Sequence, residues 1–138
     1  MKRFFYSLKF VVLLWVAIFV AWGVAMLNEW FFYKWWADII LHFAGGFWVM
    51  VLVWYITKHY KNEIIGEHKN VVTFFAFISF VVFVGVFWEF FELILDRYIA
   101  FTGFTYLPKV FEDTLLDLVM DIFGGITAFL LYFKNDKA

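Results

Sequence analysis

Seven ionisable side chains lie in or beside apolar segments of this sequence that are long enough to cross a membrane. They are Asp38, His42, Glu89, Glu92, Asp113, Asp117 and Asp121. Because an ionisable group inside a bilayer is costly, it usually faces an interior cavity and marks a functional polar site. Carboxylate oxygens bind hard divalent cations, and an imidazole adds a preference for zinc, manganese or iron. These residue types therefore predict a divalent-metal site.

The spacing of these residues places each subset on one helix face, because side chains three or four residues apart are neighbours on a helix. The subsets are Asp38 with His42, Glu89 with Glu92, and Asp113 with Asp117 and Asp121. If successive helices alternate in direction, His42, Glu89 and Asp117 lie at a similar depth. Asp121 lies about 12 Å deeper in the membrane than Asp113, because a helix rises 1.5 Å per residue. We expect His42, Glu89, Glu92, Asp117 and Asp121 to be metal ligands.

Ordinary structural roles explain only part of this set. Asp113 stands near a predicted helix N-terminus, where an acid caps free N–H groups and complements the helix dipole. Asp38 has a similar position, so both are open to a capping role. We otherwise expect Asp38 or Asp113 to act as a general base or to support a ligand. The three segments that hold these acids contain no Lys or Arg. The deeper acids must therefore share protons, bind cations or face water.

The elements that position these residues are four predicted transmembrane helices. The chain has 138 residues, of which 66% are hydrophobic and 27% aromatic, well above the 45–50% apolar content typical of soluble domains. The apolar segments cover about 7–27, 36–57, 71–95 and 110–133, and each has the roughly 20 residues needed to cross the hydrocarbon core. The sequence predicts one all-α domain, a four-helix transmembrane bundle. Cysteine is absent, which excludes disulfides and thiolate metal sites, and no nucleic-acid signature is present.

Basic residues predict the orientation of the bundle, since Lys and Arg concentrate in short cytoplasmic loops. Eight of the eleven lie at the two termini or after span two: Lys2, Arg3, Lys9, Lys58, Lys61, Lys69, Lys134 and Lys137. Both termini should therefore be cytoplasmic. The protein should then lie in the cell (inner or cytoplasmic) membrane with its acid/His site facing the extracytoplasmic side. Aromatic residues at 29–36 and 98–106 suit the membrane interface beside that site.

Spans two and four share a pattern of polar residues and glycines. Span two contains Asp38, His42 and the pair 45–46, and span four contains Asp117, Asp121 and the pair 124–125, with equal spacing. The pattern is consistent with two helical hairpins related by an axis along the membrane normal, as in some transporters. Paired glycines are also typical of close helix contacts, and both interpretations remain open.

Three short motifs resemble those of the VanZ-like and YjdF-type small membrane proteins. They are Asp38-x3-His42-Phe43-x2-Gly46, Trp88-Glu89-x2-Glu92 and Asp113-Thr114-x2-Asp117-x3-Asp121-x2-Gly124. The resemblance covers spans two to four and is closer to the YjdF type, since VanZ-like members more often have glutamine where this chain has Glu92. It implies a role in the cell envelope and supports the same site residues.

Several functions fit such a site. A divalent metal (zinc, manganese, iron or magnesium) held in the outer half of the bilayer could serve hydrolysis or group transfer on a lipid or envelope precursor, as a membrane hydrolase or phosphatase does. Membrane lipids, including a lipid-linked substrate, are then the expected partners. The same acids could instead bind a coupling cation or relay protons in a transporter or channel. A third hypothesis is a non-catalytic membrane partner subunit with a structural metal.

Overall fold

A computed structural model describes residues 7–59, 71–101, 103 and 110–136. The elements in these ranges are helical: α1 (Leu8–Leu27), a short α2 (Trp30–Tyr33), α3 (Trp35–His59), α4 (Val71–Ile94), a π-helical continuation (Leu95–Ala100) and α5 (Val110–Asp136). The helices α1, α3, α4 with its continuation, and α5 are each long and apolar enough to cross a membrane. The predicted all-α fold with four membrane-spanning helices is confirmed.

Some residues used in the predictions lie outside the described ranges. They are Lys2, Arg3, Lys61, Lys69 and Lys137, together with residues 102 and 104–106 of the second aromatic segment. The first aromatic segment, at 29–36, forms α2 and the beginning of α3. There the Lys34 ammonium lies 4.0 Å from the centre of the Trp30 ring, a cation–π contact that fixes the turn between the two helices.

The helices α3 and α5 touch through their glycines. A Cβ atom added to Gly46 would overlap with the backbone of Asp121, and one added to Gly124 would overlap with the carbonyl oxygen of Phe43. Small residues allow such backbone contact between membrane helices. The contact thus places Gly46 against Asp121, and Gly124 against Phe43 and Phe47. It brings the polar first halves of α3 and α5 side by side.

The rest of the interior is an apolar core beyond the polar end of the bundle. It contains Val11, Val49, Met50, Val51, Trp54, Phe77, Val81, Ala128, Phe129 and Tyr132. The Trp54 ring makes edge contacts with Phe77 and Phe129, with ring centres 6.5 and 6.4 Å apart. The helix α1 is attached to this core through the Trp48 indole, whose Nε1 donates a hydrogen bond of 2.9 Å to the Val11 carbonyl. Large apolar side chains on the outer faces of the helices are exposed, as lipid-facing surfaces are.

Candidate metal centre

His42 is the centre of the polar cluster. It lies in the first half of α3 and is only 4% exposed. Its Nδ1 atom is 3.3 Å from Oδ2 of Asp121 on α5. Its Nε2 atom is 3.5 Å from Oε1 of Glu89 on α4 and 3.7 Å from Oδ1 of Asp38, one turn earlier on α3. One imidazole thus lies close to carboxylates from three helices. The contact from α5 comes from Asp121, whereas the sequence predicted Asp117 at the depth of His42.

The two nitrogens of the His42 ring have different surroundings. Nδ1 is within hydrogen-bond distance of Asp121, whereas Nε2 is buried and has no hydrogen-bond partner among the described residues. The Oε1 atom of Glu89 and the Oδ1 atom of Asp117 are also buried and unpartnered in the described structure. Buried polar atoms are nearly always hydrogen-bonded or bound to an ion or water, so these three atoms are candidates for binding a ligand.

Two sets of three side chains bring donor atoms close enough to hold one ion. The first set is Asp38, His42 and Asp117, all buried, and the second is His42, Glu89 and Glu92. In each set one donor atom from every residue lies within 4.8 Å of the others. Both sets contain His42. The two sets therefore share one imidazole.

Two hydrogen bonds hold the glutamates of α4 in place. The Thr114 hydroxyl donates a hydrogen bond of 2.7 Å to Oε2 of Glu89. The Trp22 indole Nε1 donates a hydrogen bond of 3.3 Å to Oε1 of Glu92. Thr114 lies within a motif recognised in the sequence, but its role as a donor was not predicted. Trp22 was missed altogether, because nothing distinguishes one tryptophan in an aromatic-rich apolar helix from lipid-facing neighbours.

Glycines provide the space for the Asp121 carboxylate. A Cβ atom on Gly85 of α4 would overlap with Oδ2 of Asp121, and one on Gly45 of α3 would lie 3.7 Å from its Oδ1. Gly85 shares the stripe of Glu89 and Glu92 on α4. The glycines beside the acids therefore have two functions: they allow α3 and α5 to touch, and they leave room for a carboxylate between three helices.

The remaining acids lie at the edge of the cluster. Asp113 lies in the first turn of α5 and is half-buried. It lines a cleft together with Asp117, which is one turn further along the helix. Asp96 is buried, and its Oδ1 accepts a hydrogen bond of 2.7 Å from the backbone N–H of Gly103. That bond folds the chain back after the π-helical segment. Asp96 thus has a structural role near the site.

The charges of the cluster require compensation. Six carboxylates (Asp38, Glu89, Glu92, Asp113, Asp117 and Asp121) surround or adjoin a single imidazole, and no Lys or Arg is among the described residues that line the cavities around them. Buried charges are stable only when they are paired or coordinate a metal. The cluster therefore needs cations or protons from outside the chain.

A family model described as predicted membrane protein (DUF2238) matches residues 2–137. The chain belongs to this DUF2238 family. No curated protein and no solved structure matches it significantly. The family description agrees with the membrane-spanning helices, and the DUF2238 chain is an integral membrane protein.

Two cavities of the DUF2238 protein reach acids of the cluster from different directions, and His42 is in the lining of neither. One, of about 630 Å³, is bordered by α1, α2 and the end of α4, and includes Glu29, Tyr33 and Asp96. The other, of about 380 Å³, is a cleft between α4 and α5. Asp38 and Glu92 line both. The centre is thus accessible from two sides.

Proposed function

We propose that the acid/His cluster binds a divalent metal ion, and that this ion serves hydrolysis or group transfer on a lipid or cell-envelope precursor. The observation that supports the proposal is a set of three buried donor atoms that have no hydrogen-bond partner among the described residues: Nε2 of His42, Oε1 of Glu89 and Oδ1 of Asp117. The nitrogen and oxygen donors suit zinc, manganese or iron, and magnesium would use the oxygens alone.

The geometry supports different roles for the seven residues. We assign Nε2 of His42 and the carboxylates of Asp38, Glu89, Glu92 and Asp117 as candidate ligands. Asp121 faces Nδ1, on the other side of the ring. Metal-bound histidines usually hydrogen-bond through their second nitrogen to a carboxylate that fixes their orientation. We therefore propose that Asp121 positions His42. The sequence favoured it as a ligand, and favoured Asp38 as a base or supporting group.

A divalent ion at this place would activate water and polarise the bond under attack. Hydrolysis then adds the hydroxyl of water to the acyl or phosphoryl centre, and the water's remaining proton goes to the leaving oxygen. Asp113 lines the cleft beside Asp117 without being part of either three-residue set. We propose that Asp113 accepts this proton and returns it to the leaving group.

The location of the site supports an envelope role. The cluster lies at the end of the bundle where α3 and α5 begin. With the bias of basic residues towards the termini and the loop after span two, this end faces the extracytoplasmic side of the cell membrane. The resemblance to VanZ-like and YjdF-type proteins supports the same assignment through the motifs around His42, Glu89 and Asp117.

The apolar core argues against a transport path. Below the cluster the described core includes no acid, histidine or basic residue, and Trp54 and Tyr132 are its members with polar atoms. A coupling ion would need polar groups along its path. A reaction completed in the outer half of the bilayer needs no such path.

Metal content tests the proposal. The protein, purified in detergent without chelator, is analysed by elemental mass spectrometry beside Glu89→Gln and Asp117→Asn. We expect near-stoichiometric zinc, manganese or iron in the wild type and loss in both variants. Thr127→Val, whose hydroxyl donates only to the Phe123 carbonyl within α5, is a control that should retain the metal. Metal-free wild type after reloading with each ion would refute the proposal.

A further inference from the structure

The cleft between α4 and α5 combines an apolar outer part with a polar inner end. Its outer part contains Phe90 and Phe111, which are 57% and 72% exposed. Both belong to membrane-spanning helices, so these rings face the acyl chains or the interface of the bilayer. Val86, Leu93 and Leu118 line the cleft further in. A path of apolar side chains therefore leads sideways from the membrane into the protein.

The inner end of the cleft is the candidate metal centre. It is formed by Glu89, Asp113, Thr114 and Asp117, with Asp38 and Glu92 where the second cavity begins. Asp117 is only 3% exposed, and its Oδ1 has no partner among the described residues. An unpartnered carboxylate oxygen at the end of an apolar cleft indicates a ligand whose polar part lies inside and whose apolar part extends outwards.

We infer that the cleft between α4 and α5 admits a zwitterionic phospholipid sideways from the bilayer, headgroup first. This inference rests on the proposed function and specifies its substrate class. The headgroup lies at the acid/His centre, and the acyl chains leave between Phe90 and Phe111. A cleft of about 380 Å³ is within the usual size range of ligand pockets. Diffusion within the membrane supplies the lipid without removing its chains from the bilayer.

Charge selects the headgroup. The titratable side chains of the described cleft lining are carboxylates, with no Lys or Arg among them. A headgroup with a cationic amine offsets these acids, whereas a purely anionic one adds to the negative charge. The wider cavity beside α2, lined by Glu29, Tyr33 and Asp96, then serves as a separate route for water. The two routes meet at Asp38 and Glu92.

The test detects a lipid phosphorus beside a manganese ion. The protein is loaded with Mn²⁺ and reconstituted with phosphatidylethanolamine, and electron–nuclear double resonance measures phosphorus coupling to the ion. We expect coupling in the wild type and at least a fivefold loss in Leu93→Trp, which fills the cleft. Ile94→Trp is the matched control, because Ile94 is 50% exposed and lies outside the cleft lining. It should retain the coupling.

The outcomes separate this inference from the metal proposal. If no sample binds Mn²⁺ and reloading with zinc or iron also leaves the protein metal-free, the metal proposal fails and the lipid inference fails with it. If Mn²⁺ binds without phosphorus coupling, or if both tryptophan variants retain coupling equally, only lateral lipid access is refuted. Stronger coupling with phosphatidylglycerol refutes the zwitterionic headgroup. Coupling to water-soluble glycerol phosphate that survives in Leu93→Trp would show that the substrate uses the aqueous cavity.

Discussion

The Nδ1 atom of His42 and the Oδ2 atom of Asp121 lie 3.3 Å apart, on the side of the imidazole that faces away from Glu89 and Asp38. This arrangement joins α3 to α5 and fixes which ring nitrogen remains for a metal. The acids of the cluster are therefore not equivalent. In the proposed centre, Asp121 supports the histidine and the carboxylates near Nε2 coordinate the metal.

Replacing Asp121 should weaken metal binding without abolishing it. Loss of a supporting carboxylate typically lowers metal affinity about 10–100-fold, because the histidine remains but is less well oriented. We expect Asp121→Asn to show such a decrease in a competition titration with a fluorescent zinc chelator. Asp117→Asn should show a larger loss. Equal losses would mean that Asp121 is itself a ligand.

Thr114→Val should weaken the centre through Glu89. The variant removes the hydroxyl that donates a hydrogen bond of 2.7 Å to Oε2 of Glu89, and it keeps the shape of the side chain. A hydrogen bond to a charged group contributes about 1.5–3 kcal/mol, so we expect roughly a tenfold lower metal affinity. Thr127→Val on the same helix is the matched control. An effect of the same size in the control would show a general change in α5.

Gly46→Ala and Gly124→Ala should destabilise the bundle. Each added methyl would overlap with the backbone of the facing helix, so α3 and α5 would have to separate. Overpacking of this kind typically costs about 1–3 kcal/mol, measurable as a lower midpoint of thermal unfolding in detergent. Gly23→Ala on α1 meets no atom within 4 Å, and it should be neutral or slightly stabilising, because alanine favours helix. Unchanged stability in the first two variants would contradict the close contact.

The sequence predicted the four membrane-spanning helices, while the roles of the cluster residues stay predictions. Long apolar segments and helical spacing suffice to place His42, Glu89 and Asp117 together, since both are local properties of the chain. The direction of the His42 ring depends on how α3 and α5 cross, and this crossing depends on the contacts of Gly46 with Asp121 and of Gly124 with Phe43, which helical spacing alone does not predict. The Trp22 bond to Glu92 depends on the packing of α1 against α4, for which the sequence has no local signal.

Metal removal should lower the stability of the wild type. A ligand that binds only the folded state stabilises it by about 2.7 kcal/mol at one hundred times its Kd, and without it the carboxylates around His42 lose their compensating charge. We expect the thermal midpoint of the purified protein to fall on chelation and to recover when the metal is restored. Glu89→Gln should show no such shift, because Oε1 of this residue faces Nε2 of His42 at 3.5 Å and its amide is a poor metal ligand. An equal chelator effect on this variant would mean that the metal binds elsewhere in the chain, and the centre proposed around His42 would have to be abandoned.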